Sequence, residues 1–140
     1  MSLWKKSLTL ENINQLHRHT FMEQLDIRFI ELGDDYLVAS MPVDSRTHQP
    51  MGILHGGASV ALAESVGSLA SLLASDEQSY GVGLEINANH VKGISQGTVI
   101  ATARPLHIGG KTHVWDIRIC NEQGQLICVS RFTVAILQKR

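Results

Sequence analysis

The sequence predicts an α+β fold, an antiparallel sheet of five to six strands wrapped around one long central helix. Three observations predict it. Residues 55–75 are rich in Ala and Leu and carry a single charged side chain, Glu64, the mark of a helix of about five turns in the protein interior. The chain on either side alternates apolar and polar residues in strand-length runs punctuated by glycine turns. No internal repeat, low-complexity tract or linker interrupts the 140 residues, so residues 1–140 read as one domain with one packed core.

Taken in order, Thr9 is a good N-cap for a short helix ending near Leu16, and a second helical turn is expected at 21–25. Residues 26–32 and 36–43 alternate as a strand pair across Gly33-Asp34-Asp35. The run Arg46-Thr47-His48-Gln49-Pro50-Met51-Gly52 has the breakers of a loop. After His55-Gly56-Gly57 the long helix is expected to start at Gly57 or Ala58. Four further strands are expected at 81–91, 97–107, 112–120 and 125–137, with turns at Gly93, Gly109-Gly110 and Gly124.

Composition bounds the function. A hydrophobic content of 44%, a charged content of 18% and a net charge of −1 are those of an ordinary globular protein. They argue against nucleic acid or an anionic membrane as the main partner. The first ten residues lack the apolar core of a signal peptide, and Glu64 interrupts the best candidate for a membrane span, so a cytoplasmic protein is expected. Cys120 and Cys128 flank a hairpin turn and read as reduced thiols. The seven histidines, His17 and His19 of a helix-end segment among them, show no zinc-ligand spacing, so no metal and no cofactor are expected.

Glu64 carries the functional argument. A lone carboxylate on a buried helix is either paired with a cation or kept for chemistry. Eight residues upstream, Gly56 stands at the helix start, where backbone N–H groups lack internal partners and can polarise a carbonyl. Eight residues span about 12 Å of helix, too far for both groups to serve one reacting carbonyl. If they act together, they come from two antiparallel copies across a two-fold axis, with two equivalent composite sites per dimer. Ser68 lies one turn beyond Glu64 on the same face and can hold water or merely back-bond to the helix. Gln49 sits in the loop beside the helix entrance.

These residues carry a resemblance. Met41-Pro42-Val43-Asp44-Ser45-Arg46-Thr47, Gln49-Pro50, His55-Gly56-Gly57, Ala63-Glu64-Ser65-Val66-Gly67-Ser68, the run from Val82 to His90 and Pro105-Leu106-His107-Ile108-Gly109 together resemble the hotdog-fold acyl-CoA thioesterases. The likeness is to the 4-hydroxybenzoyl-CoA thioesterase-like branch, and within it to the 1,4-dihydroxy-2-naphthoyl-CoA hydrolases of menaquinone biosynthesis and the enterobactin proofreading thioesterases. It spans nearly the whole chain.

The resemblance implies hydrolysis of an acyl-CoA or acyl-carrier-protein thioester by a homodimer with composite sites, assembled as a dimer of dimers, a homotetramer. Glu64 matches the carboxylate that acts as nucleophile or as base for water, and Gly56 matches the residue whose N–H polarises the thioester. Gln49 and His55 match the polar residues flanking the carbonyl and the thiol, and Ser68 matches the residue that places water. Met51, Leu69 and Leu72 fall where the branch lines the acyl group. All three are aliphatic here, which suits a broad range of aryl or medium-chain acyl groups. His90, Lys92, Gly109 and Lys111 fall on the edge facing the CoA nucleotide, with Arg104 and Arg131 as further cations. Glu85 reads as an outward strand residue. A non-catalytic acyl-CoA-binding or regulatory module is the alternative, but it has no need of the full set Gln49, His55, Gly56, Glu64 and Ser68. A dehydratase would require a His paired with an acid, and His55 and Glu64 face the same distance problem.

Overall fold

A computed structural model of the chain describes residues 2–140. Its elements are α1 (Leu10–Leu16), α2 (Phe21–Gln24), β1 (Arg28–Leu32), β2 (Leu37–Val43), α3 (Gly56–Ala74), β3 (Ser79–His90), β4 (Gly97–Ile108), β5 (Thr112–Asn121) and β6 (Leu126–Gln138). The strands form one antiparallel sheet in the order β1-β2-β4-β5-β6-β3, with α3 packed on its concave side. The expected elements are all present, with ends displaced by one or two residues. Thr9 caps α1 as expected, its hydroxyl accepting from the Asn12 N–H at 3.0 Å.

Helix α3 sits tight on the sheet because its inner face is small. A Cβ at Gly67 would lie 2.6 Å from the Phe132 ring and 3.0 Å from Ile117, so only glycine permits this approach. Around it, Leu62, Val66 and Leu73 pack with Trp115, Ile117, Ile119 and Phe132 in the fully buried core. The Trp115 indole donates to Ser71 Oγ at 2.7 Å, tying the helix to β5 through a buried polar contact. By length and hydropathy α3 would suffice to cross a membrane, but most of it is enclosed by the sheet.

Both ends of α3 are capped. At its C-terminus the Lys6 ammonium donates to the carbonyls of Leu72, Ser75 and Asp76 at 2.8, 2.6 and 3.0 Å, a cation placed on the negative end of the dipole. At its N-terminus the helix begins at Gly56, earlier than the expected Gly57 or Ala58. His55, in an extended conformation, accepts from the Gly57 N–H through Nδ1 at 2.8 Å. The sequence rule looks for Ser, Thr, Asp or Asn in that role, so the capping histidine moved the boundary.

Helix α3 is buried on most of its circumference, as expected, but its one carboxylate is not enclosed: Glu64 and Ser68 lie on a face that the chain's own sheet leaves uncovered, and both are exposed. Strand β3 beside that face is the sheet edge. It is twelve residues long, and Tyr80, Val82 and Leu84 on it are 42%, 44% and 61% exposed.

Candidate functional site

The residues picked from the sequence gather in two clefts, one at the start of α3 and one along its middle. The first is a cleft of about 370 Å³ lined by Gln49, Gly56, Ser59, His90 and Lys92, with Ile53 and Ile94 as part of its apolar wall. The loop that leads into it is fixed at both ends. The Asp44 carboxylate grips Arg46, which holds it down to about 2, and His55 N–H donates to Thr47 O at 2.7 Å. Gln49 turns back on the loop, its side-chain oxygen accepting from the Met51 N–H. Gly56 N–H, the first of the helix, has no partner among the described residues. The His90 ring lies directly over Gly56: a Cβ there would stand 2.8 Å from its Nε2. This end of the molecule therefore presents a free, dipole-backed N–H with an imidazole and an amide beside it.

The second cleft, about 400 Å³, is lined by Glu64, Ser65, Ser68, Leu69 and Leu72 of α3 and by His17, Phe21 and Met22 from the α1–α2 segment. Glu64 forms no ion pair and no hydrogen bond among the described residues. The cation-pairing alternative has no partner here. Ser65 back-bonds to Ala61 O at 2.6 Å, whereas the exposed Ser68 hydroxyl has no partner among the described residues. Strand β3 makes room for the carboxylate: a Cβ at Gly83 would lie 3.2 Å from Glu64 Oε2 and 3.1 Å from Phe132.

Apart from His17, which lines the second cleft, the remaining candidates lie outside both clefts within one chain. His55 is exposed at the helix cap, and Met51 is 82% exposed at the loop tip. Gly109 and Lys111 form the β4–β5 turn, and the register places that turn near the start of β3, at the far end from His90. Arg104 packs over the Tyr36 ring at 4.7 Å, and Arg131 lines a shallow polar depression with Asn87 and Asp116 on the sheet. Glu85 accepts from the Asn87 amide on the exposed strand. His17 caps the end of α1, donating from Nδ1 to Ile13 O at 2.8 Å. Cys120 and Cys128 are free thiols, and burial pushes Cys128 up. No three His, Cys, Asp or Glu side chains among the described residues converge on a point where a metal could bind.

Residues that the sequence reading passed over include Ser59, Gly83 and the wall formed by His17, Phe21 and Met22. The Gly81-x-Gly83 spacing was a usable signal, since glycine inside a strand often marks a close approach. Here both glycines face α3, Gly81 toward Ser71 and Gly83 toward Glu64.

Residues 51–128 match the family model of the thioesterase superfamily. The chain belongs to that superfamily. Over 135 residues it is 53% identical to the 1,4-dihydroxy-2-naphthoyl-CoA hydrolase of Escherichia coli, covering 96% of this chain and 99% of that one. It is 49% identical over 135 residues to the proofreading thioesterase EntH of Cronobacter sakazakii, covering 96% and 98%. The crystal structure of a thioesterase from Haemophilus influenzae superposes with a TM-score of 0.96 at 48% identity, over 97% of this chain and 95% of that one. The fold is thus the hotdog fold of this superfamily, and the protein is a thioester hydrolase.

Proposed function

We propose that the protein hydrolyses acyl-CoA thioesters at composite sites, each formed by the α3 N-terminus of one protomer and Glu64 of its partner. The observation that carries this is the separation of the two clefts. A free N–H with His90 and Gln49 occupies one, a free carboxylate with Ser68 the other, and about 12 Å of helix lies between them. Neither cleft alone holds both a carbonyl-polarising group and a base. The exposed edge of β3 supports the pairing: a long apolar edge strand is a template for a second copy. Two β3 strands paired antiparallel set two α3 helices antiparallel, so that the start of one faces the middle of the other.

In such a site the thioester carbonyl accepts from Gly56 N–H, with His90 and Gln49 beside it. Glu64 either attacks the carbonyl carbon or takes a proton from a water held with Ser68. As base, Glu64 takes a proton from water, the water oxygen forms the new C–O bond as the C–S bond breaks, and the proton passes to the departing CoA thiolate. As nucleophile, Glu64 displaces the CoA thiolate to form a mixed anhydride, which water hydrolyses to the free acid and the restored carboxylate, the proton released from water going to the thiolate. The partner's Glu64 cleft, walled by Leu69, Leu72, Phe21 and Met22, takes the acyl group, and its apolar walls suit aryl or medium-chain acids. Lys92 in the first cleft and Lys111 at the β4–β5 turn are the cations offered to the CoA phosphates. We place the enzyme in the cytoplasm, with a role in menaquinone biosynthesis the specific assignment that its Escherichia coli relative suggests.

The test is thiol release from a panel of aryl, medium-chain and short-chain acyl-CoAs by wild type and Glu64→Gln. Rapid release by wild type and a loss of several orders of magnitude in the amide variant are expected. Equal turnover by the two proteins would refute the role of the carboxylate.

A further inference from the structure

Ser59 is 2% exposed and lines the cleft at the start of α3 together with Gly56, Gln49 and His90. Its hydroxyl has no hydrogen-bond partner among the described residues. That is unusual for a buried serine in a helix, which ordinarily donates to the carbonyl four residues back. Two others in this same helix region do so, Ser65 to Ala61 O and Ser75 to Ser71 O, both at 2.6 Å. At Ser59 that carbonyl belongs to His55 and already accepts from two backbone N–H groups, Ala58 at 3.0 Å and Ser59 itself at 3.3 Å. The hydroxyl is therefore displaced from its default partner. Nor is it sealed in: the fully enclosed hydroxyl without a partner is Ser130 Oγ, whereas Ser59 borders open cleft.

Position adds direction. Ser59 lies three residues after Gly56, on the same face of α3, and helical side chains lean toward the N-terminus. Its hydroxyl thus leans toward the Gly56 N–H rather than along the helix toward Glu64. We infer that the Ser59 hydroxyl is a second hydrogen-bond donor to the ligand carbonyl that Gly56 N–H receives, completing a two-donor oxyanion site at the start of α3. The inference rests on the acyl-CoA reading of this cleft and deepens it. A donor already held beside the carbonyl position, with no protein acceptor competing for it, gives up little when the carbonyl binds. Its hydrogen bond strengthens as charge builds on the oxygen.

Two measurements test it. In steady-state hydrolysis of benzoyl-CoA, Ser59→Ala should lower kcat tenfold or more while KM stays within about twofold, and Ser59→Thr, which keeps a hydroxyl, should recover most of the loss. Thermal stability should be unchanged or slightly raised in Ser59→Ala, because the hydroxyl stabilises nothing in the free protein. The second measurement does not depend on turnover. The thioether analogue benzoylmethyl-CoA, with a methylene between sulfur and a ¹³C-labelled carbonyl, is bound to each protein, and the carbonyl stretch is read by infrared difference spectroscopy. Loss of one donor should move the band to higher wavenumber in Ser59→Ala and leave it in place in Glu64→Gln. An unmoved band in Ser59→Ala, or wild-type kcat in that variant, overturns the role of Ser59 even if the enzyme is a thioesterase. A shifted band in a protein that hydrolyses no acyl-CoA would uphold the two-donor site and refute the hydrolase reading instead. Absence of binding by wild type would overturn both.

Discussion

Gly56→Pro isolates one atom pair, the N–H at the first position of α3. Proline is welcome at the first residue of a helix, where its missing N–H would have no internal partner in any case. The residue before it must be extended, and His55 already is, with φ −66° and ψ 132°. The helix start is therefore prepared for proline. The new Cβ presses on His90, whose ring lies 2.8 to 3.2 Å away and can swing outward from an exposed strand end. Fold stability should change by no more than about 1 kcal/mol, a modest proline gain set against displacement of the ring. Turnover should fall far more. Loss of one oxyanion donor costs on the order of 10²- to 10³-fold in kcat, about 3–4 kcal/mol of transition-state stabilisation. The assay is thiol release alongside a thermal melt, with Gly56→Ala as the control that adds the same Cβ but keeps the N–H. If Gly56→Pro and Gly56→Ala lose activity equally, crowding of His90 is responsible and the N–H has no special part.

Two further outcomes follow from the packing. Gly83→Ala should lower kcat about tenfold with a small loss of stability, because the added methyl lies 3.2 Å from Glu64 Oε2 and 3.1 Å from Phe132 and must displace one of them. Undiminished turnover in Gly83→Ala would show that the carboxylate needs no such support. Stability should also fall as pH drops below about 6.5. His113 is buried against Ser71 and its pKa is lowered from 6.5 by burial first, then by Lys5 and His107. Below 6.5 the unfolded chain binds a proton that the folded chain refuses, so this contribution is complete above that value and is lost on acidification. Urea denaturation at pH 7.5 and 5.5 should show a steeper loss in wild type than in His113→Gln, and equal losses would rule His113 out as the source.

The Ala- and Leu-rich run made α3 legible, and alternation with glycine turns made every strand legible, because both depend on local period alone. What the sequence concealed depended on long-range contact. The His55 cap was missed because imidazole is an uncommon capping group. The exposure of Glu64 and Ser68 was missed because an apolar helix with one acid reads as enclosed, and nothing local says that one flank is left open by an edge strand. His17, Phe21 and Met22 meet Glu64 from more than forty residues away, and no spacing rule links them. The 12 Å separation of Gly56 and Glu64, by contrast, needed only helical rise, and the two clefts follow from it.

Subunit complementation tests the composite site most directly. Gly56→Pro and Glu64→Gln should each be nearly inactive alone. Mixed in equal amounts and allowed to exchange subunits, about half the dimers pair one variant with the other. Each mixed dimer then joins an intact helix start from one protomer to an intact Glu64 from its partner at one of its two sites. The mixture should recover about a quarter of wild-type specific activity, with active-site titration giving the same fraction. No recovery after verified subunit exchange would contradict the account and return both groups to a single chain.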